Sequence, residues 1–537
     1  MAGTIAFQGL ATGLDYEALK DALLVRHENR VARISQSISD QDRTKAGLSD
    51  LKRTLDAFGS IASDLESKVF EKRKTESSDT SVFTATSTNS EAATGNYEIF
   101  VNQLASNSVA TFGSKVGSLT EVIGAGTLNV ELSGGETFSV NLTDANSTIT
   151  DLRQAINDQH GDKLNANIVE VESGQFQLVV STIETGSASN IVVGAGQSEI
   201  SGFNASFLTD GVSQTRAGLD AIIEVDGLQN ITRSSNTISD VIEGITLTLK
   251  NESEVGSRQT LSVETDFDEM ISGLNEFVSG YNDLLSQVDR LTDSEENGVL
   301  AGDSSTLALA REVRSLITRA VPNIDQINVR DDGSTGFTAL SQIGFKSDRT
   351  TGELSIDSDT LKEALTDHFD EVKNLFLGAT TSSNNNVSVS SNLTDPPFSG
   401  SITLDSQNDT ATIDGQVYNL ERSGSILSFA SGSSFSGLTF VAGASATNIS
   451  IEVAAGLGSL VESIADQYAG FSGIIDDRSA SIDERTRQLN RDLDAARNRV
   501  EDERSRLDFI FARAEQAVSQ LQGLQSSLGT QANLNFG

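Results

Sequence analysis

Cysteine is absent from the chain, which excludes disulfides, thiolate metal sites and a cysteine nucleophile. Histidine is nearly absent: His27, His160 and His368 lie on unrelated segments, and none has metal-ligand spacing to another. Structural or solvated roles suit them better than catalysis. Cationic residues are scarce, with 38 Lys plus Arg against 76 Asp plus Glu and a formal net charge of −38. Nucleic acid and anionic membrane surfaces both want a basic face, so neither is expected as a partner. No run of 18 apolar residues occurs, so no membrane-inserted helix is expected. The opening MAGTIAFQGLATGLD lacks the basic and apolar regions of a conventional signal peptide. Gly3, Gly9 and Gly13, with little periodicity around them, suggest a segment mobile until docked.

Catalytic and cofactor patterns are also lacking. Gly194-Ala195-Gly196 has neither the remaining glycine nor the following helix of a dinucleotide site. Asp331-Asp332-Gly333-Ser334 lacks the ligand order and closing Glu of a calcium loop, and reads as a turn. Glu170 and Glu172 sit on the solvent side of a predicted strand. No enzyme, metal or cofactor is expected from these residues.

What the chain does have is two long seams. From Leu489, alternating steps of four and three pass Leu493, Ala496, Val500, Glu503, Leu507, Ile510, Ala514, Ala517, Leu521, Leu524 and Leu528. Only Glu503 breaks the apolar stripe. Such a repeat keeps a narrow seam on one side of a helix, here roughly 60 Å long at 1.5 Å per residue. A lone helix cannot bury its seam, so a partner is required; periodicity leaves open whether that partner is in this chain or in another subunit. Near the N-terminus, Val31, Ile34, Ile38, Gln41, Lys45 and Leu48 keep the same spacing. One extra step of three then leads to Leu51, Leu55, Phe58, Ala62, Leu65 and Val69, a stammer that overwinds a supercoil locally. The economical inference is that the two terminal seams run side by side as one stalk.

Between them the fold class reads as α+β: terminal helices pairing as a coiled-coil stalk, a helical neck and β-rich head domains. With 537 residues, three or more domains fit. Residues 1–77 read as the mobile segment and first leg helix, and 78–264 as a β-rich head with an inner subdomain near 110–218. That head carries 7 Lys plus Arg against 23 Asp plus Glu, a solvated acidic exterior. Leu128, Val130 and Leu132 alternate into Ser133-Gly134-Gly135-Glu136, and Phe138, Val140 and Leu142 alternate out, as in a hairpin. Thr148 and Asp151 read as a capping box for a short helix. Strands are expected at Ser81–Ser87, Asn96–Leu104, Ile168–Val171 and Phe176–Val180.

Residues 265–378 read as the neck, with helices at Phe267–Leu291, Ser305–Arg319 and Asp359–Phe376. Residues 379–455 form a β-rich insertion, and 456–537 the C-terminal leg. Within the insertion Thr412-Ile413-Asp414-Gly415 echoes Glu224-Val225-Asp226-Gly227, and Gly437-Leu438-Thr439-Phe440 echoes Gly244-Ile245-Thr246-Leu247. A partial duplicate of the head and chance recurrence of common turn grammar both explain the echo.

Several stretches together resemble the bacterial flagellar filament-cap family, hook-associated protein two. They are Ile5 with Gly9-Leu10-Ala11-Thr12-Gly13-Leu14-Asp15, Gly95-Asn96-Tyr97-Glu98-Ile99 and Asp151-Leu152-Arg153-Gln154-Ala155-Ile156-Asn157. Further along are Phe277-Val278-Ser279-Gly280-Tyr281-Asn282-Asp283-Leu284, Leu300-Ala301-Gly302-Asp303-Ser304 and Ile343-Gly344-Phe345. Each fragment is weak alone; order and spacing make the set specific. Residues 379–455 depart from the family pattern. The resemblance implies a structural cap at the distal end of the flagellum that retains exported flagellin and promotes its insertion into the growing filament. It also implies an annular homo-oligomer, contacts with flagellin, hook-filament junction proteins and a type III export chaperone, and export without a cleaved signal peptide. The assembly-seam residues are Leu489, Leu493, Val500, Leu507, Ile510, Leu521, Leu524, Leu528, Val31, Ile34, Ile38, Leu51, Leu55 and Phe58. An extracellular adhesin with glycan- or surface-binding β modules is the alternative from another class.

Overall fold

The computed structural model describes residues 15–87, 92–194, 197–394, 396–443 and 446–535. Gly9 to Leu14 of the opening motif, and Ala195 and Gly196, lie outside these. The chain divides into two compact units, residues 67–270 and a second made of the remaining terminal and C-terminal parts.

Helix α1 (Tyr16–Ser63) starts where Asp15 accepts a hydrogen bond from the Ala18 N–H at 3.1 Å, satisfying one of the orphan donors of the first turn. A wider π-helical turn, Glu66–Phe70, ends the helical stretch.

The β-rich unit follows. Its strands are β1 (Arg73–Ser77), β2 (Phe83–Ser87), β3 (Gly95–Gln103), β4 (Val109–Val116), β5 (Gly126–Glu131) and β6 (Thr137–Leu142). Helix α2 (Ile149–His160) comes next, then β7 (Leu164–Glu172), β8 (Gln175–Thr182), β9 (Glu199–Ser201), helix α3 (Ala205–Leu208) and β10 (Val212–Arg216). Strands β11 (Ala221–Val225), β12 (Leu228–Arg233), β13 (Thr237–Ile242), β14 (Ile245–Leu249) and β15 (Gln259–Thr265) complete it. The capping box at Thr148 is formed, with the Thr148 N–H donating to Asp151 at 2.8 Å. Two separate cores hold the unit. An outer sheet ordered β1-β15-β3-β11-β12 and a smaller one, β13-β14-β2, enclose Ile99, Val101, Ile223, Leu247 and Leu261. An inner pair, β10-β4-β8-β7 and β6-β5-β9, encloses Phe112, Leu128, Leu152, Leu178 and Phe207. Alternating burial on β3 and β5 is what a strand with one face in a core requires.

The other unit contains α1 together with α4 (Phe267–Thr292) from Ile271 onward, α5 (Ser304–Thr318), the hairpin β16 (Phe345–Ser347) and β17 (Leu354–Ile356), α6 (Ser358–Asp367) and α7 (Phe369–Leu377). The periodicity of Asp359–Phe376 predicts one helix, but His368, at φ −141°, divides it. Its ring leaves the helical path to meet Phe337 edge-on at 5.5 Å and to approach Glu371 at 3.3 Å. Leu365 and Val372 are seven residues apart and both buried, so the apolar phase carries across the break and hides it from a periodicity argument. Asp331–Ser334 is a turn: Gly333 has φ +78°, and its N–H donates to the Arg330 carbonyl at 2.8 Å.

Eight strands come next: β18 (Gly378–Ser382), β19 (Val387–Asn392), β20 (Gly400–Asp405), β21 (Thr410–Ile413), β22 (Gln416–Ser423), β23 (Ile426–Phe429), β24 (Leu438–Ala442) and β25 (Ile449–Ala455). They form one antiparallel sheet over their own core, which includes Leu404, Leu427, Phe440 and Ile451. Helix α8 (Leu457–Ala469) and the long α9 (Ile474–Asn535) close the chain.

Candidate assembly seam

Helix α1 packs along both α8 and α9. Its C-terminal half lies in a helical core. Leu48, Leu51, Leu55 and Phe58 are all buried. The Phe58 ring lies 5.1 Å from Phe277 and 6.3 Å from Tyr281, and Phe277 meets Phe376 at 5.9 Å. Two glycines set the helix spacing. A Cβ on Gly59 would sit 2.7 Å from the Ala465 Cβ, and one on Gly280 would sit 3.1 Å from the Phe58 ring. The stammer step from Leu48 to Leu51 thus keeps both leucines inside a multi-helix core, where a two-helix seam would admit a narrower stripe.

From its start to Lys52, α1 runs antiparallel to α9. Three cross-helix ion pairs mark the register: Lys20–Asp508 at 2.6 Å, Lys45–Asp483 at 2.5 Å and Lys52–Asp476 at 2.6 Å. From Lys20 to Lys52 the number rises by as much as the partner's falls, as an unslipped antiparallel pair demands. Between these pins Leu489, Leu493 and Ala496 are buried, while Val500, Val31, Ile34 and Ile38 are half-buried. Glu503 stays on the seam's edge. Its carboxylate accepts from Arg506 at 2.9 and 2.6 Å, and that cation holds its pKa below the ordinary glutamate value.

At the far end the seam changes. Leu507 is buried, Phe511 stacks on Tyr16 at 4.9 Å, and Lys20 and Leu24 are buried beside them. The bonds to Asp508 and Glu17, both 2.6 Å, raise the Lys20 pKa. Tyr16, Lys20, Leu24 and Phe511 were not among the residues singled out by the four-three count. Stepping back from Val31 through His27 to Leu24 and Lys20 continues that count and finds two of them, whereas its next step falls on Glu17, one residue past Tyr16. Because α1 begins at Tyr16, α9 continues past Phe511 for roughly 35 Å at 1.5 Å per residue. There Leu521 is 64% exposed, Leu524 58% and Leu528 62%, and Ile510, one residue before Phe511, is already 44% exposed. The sequence-defined stripe therefore splits. Leu489, Leu493 and Leu507 are covered within the chain, while Ile510, Leu521, Leu524 and Leu528 face outward.

A model of the flagellar hook-associated protein 2 C-terminus matches residues 218–523, more than half of the chain, and one of the N-terminus matches residues 12–108. The chain belongs to the flagellar hook-associated protein 2 family. The A-type flagellar hook-associated protein 2 of Pseudomonas aeruginosa is 29% identical over 409 residues, covering 71% of this chain and 82% of its own length. The flagellar hook-associated protein 2 of Escherichia coli K12 is 26% identical over 407 residues, covering 73% and 84%. In fold, the chain resembles the crystal structure of the D1-D2-D3 domains of the flagellar cap protein FliD from Escherichia coli, with a TM-score of 0.53 at 22% identity. That likeness covers 81% of this chain and 99% of the other. The chain is thus a structural protein of the flagellum, and the adhesin alternative has no support in these matches. The C-terminal family match includes Ile510 and Leu521, whereas Leu524 and Leu528 lie beyond its end.

Proposed function

We propose that this chain caps the growing flagellum as an annular homo-oligomer, holding arriving flagellin until it inserts into the filament. The terminal helices α1 and α9 serve as legs, the β-rich residues 78–264 as a plate with an inner part near 110–218, and residues 265–378 as a neck. The eight-stranded insertion at 379–455 stands outside the ring contact, and 456–537 completes the leg. The supporting observation is the outward stripe that starts at Ile510 and continues through Leu521, Leu524 and Leu528 on the part of α9 that α1 does not reach. Exposed leucines in one row on a helix are stable in water only until a partner covers them. The partners in this reading are copies of the same chain, flagellin, hook-filament junction proteins during assembly, and a type III export chaperone before export. The role is structural, without catalysis. The protein works outside the cell at the flagellar tip, exported without a cleaved signal peptide. Imaging a labelled chain on intact flagella tests this reading: signal confined to distal ends supports it, and signal along the shaft or only at the hook overturns it.

A further inference from the structure

Residues 378–455 repeat the outer sheets of the β-rich unit strand for strand. In chain order the outer strands are β1, β2, β3, β11, β12, β13, β14 and β15, and they pair as β1-β15-β3-β11-β12 and β13-β14-β2. Replacing them in order by β18 to β25 gives β18-β25-β20-β21-β22 and β23-β24-β19. That is the observed order of the eight-stranded sheet, in which β22 and β23 are paired as well. Every pairing in both sets is antiparallel.

Register agrees too. Thr75 and Gly95 lie on either side of Val263, as Thr380 and Gly400 lie on either side of Val453. Gly95 and Gly400 share φ values of +155° and +157°. The fourth and fifth strands of both sets join through Asp-Gly. Asp226 and Gly227 have φ +48° and +81°, and Asp414 and Gly415 have +49° and +79°, the type I′ geometry.

Sandwich topologies recur in unrelated proteins, so strand order alone does not decide descent. Side-chain bonds that topology does not dictate decide it. Ser77 Oγ donates to the Asp79 carbonyl at 3.0 Å and accepts from the Asp79 N–H at 3.3 Å. Ser382 does the same with Asn384, at 3.0 and 3.2 Å. The next serine, Ser78 or Ser383, accepts from the N–H of Thr260 or Ser450, at 2.9 Å in each case. Asp79 then accepts from the Ser81 N–H at 2.9 Å, and Asn384 from the Asn386 N–H at 3.0 Å. One Thr-x-Ser-Ser-Asx turn is thus built twice, with the same bonds.

We infer that residues 378–455 are an internal duplicate of the outer β module, and that this module is a carrier whose third-to-fourth-strand hairpin accepts a guest domain. In the first copy that hairpin is opened by the inner subdomain. The ladder of β3 and β11 ends at the bridge between Ser106 and Leu219, whose N–H groups donate to each other's carbonyls at 2.9 and 3.1 Å. The guest keeps its own core, which among the described residues shares no buried residue with the outer one. In the second copy four residues, Ser406–Asp409, close the same hairpin. Asp405 accepts from the N–H groups of Gln407 and Asn408 at 3.1 and 3.0 Å, and Arg422 clips the turn through Asp409 at 2.8 Å and the Ser406 carbonyl. The duplicate is therefore the carrier without a guest.

Two full-length variants test this. In the first, the turn sequence of residues 406–409 replaces residues 107–218. Hydrogen exchange read by mass spectrometry should leave β3, β14 and β15 protected to within about threefold of the parent, with β20 and β25 as an internal reference. Loss of protection in β3, β14 and β15 while β20 and β25 keep theirs overturns the inference. In the second, residues 107–218 replace residues 406–409. Parent-like protection of β20 to β25 and of a second set of β4, β7 and β8 amides is expected. Fast exchange in the transplanted guest, or in β20 to β25, refutes the carrier role.

Discussion

Leu493 and Leu524 occupy the same four-three stripe of α9 yet differ in exposure, 7% against 58%. Truncating each to alanine separates the covered seam from the uncovered one. Leu493 lies between the Lys45–Asp483 and Lys20–Asp508 pins, opposite the stretch of α1 that carries Ile34 and Ile38. Full burial of a leucine is worth about 1.5–3 kcal/mol, and an unfilled cavity adds to the loss, so Leu493→Ala should cost about 2–3 kcal/mol in helix pairing. For Leu524, less than half of the side chain is removed from water in the protomer. Leucine and alanine differ little in helix propensity, so the cost there is about 0.5 kcal/mol. The readout is amide exchange at α1 residues 30–40 in the unassembled protein. Leu493→Ala should speed it by about 30- to 150-fold, and Leu524→Ala by less than about threefold, since 1.4 kcal/mol is a factor of ten. Comparable acceleration by both, or silence at Leu493, would refute the division of the stripe.

Phe58→Ala should destabilise the helical core by about 3–5 kcal/mol, because the ring is fully buried against Phe277 and Tyr281; urea unfolding checks it. Glu371 is subject to burial, which pushes its pKa up, but Arg330 at 2.8 Å and the Phe337 N–H at 2.9 Å outweigh this and hold it below the ordinary glutamate value. A depressed carboxylate pKa gives stability that is present above the unfolded value and lost as pH falls through the folded one. Acid titration below about pH 4.5 should therefore loosen the packing of residues 330–337 on α7, and Glu371→Gln should remove that pH dependence at a cost of about 2–3 kcal/mol, the partly hydrated Arg330 keeping the loss low. Deleting residues 381–453 should leave oligomerisation intact by light scattering; monomers would place the insertion in the ring contact.

Local order was the legible part of the sequence. The Thr148 capping box, the β5–β6 hairpin and the long terminal helices follow from spacing that acts within a few residues. Long-range pairing was not. Strand β1 pairs with β15 and β2 with β14, across more than a hundred and fifty residues, and nothing in Arg73–Ser77 names its partner. The seam shows the same divide. Periodicity marks Leu489 to Leu528 as one stripe, but where it stops being covered depends on where α1 begins, a property of the partner helix. The charges held more than was read from them. Lys20, Lys45 and Lys52 oppose Asp508, Asp483 and Asp476 at a constant antiparallel offset, whereas hydrophobic periodicity carries no direction. The duplicated module left only an Asp-Gly turn and short echoes, because its shared serine bonds occupy five residues and its pairing is non-local.

The central claim is that the outward stripe of α9 is covered in the assembled flagellum. Its most direct test is the amount of unpolymerised flagellin shed by cells carrying Leu521→Asp with Leu524→Asp, against Gln520→Asp with Gln525→Asp as the matched control off the stripe. A charge forced into a covered apolar contact costs several kcal/mol, whereas one left in water costs little. The account predicts shed flagellin and short or absent filaments from the leucine pair, near-normal filaments from the glutamine pair, and unchanged α1 exchange in both isolated proteins. Normal filaments from the leucine pair, or equal loss from both pairs, would contradict it.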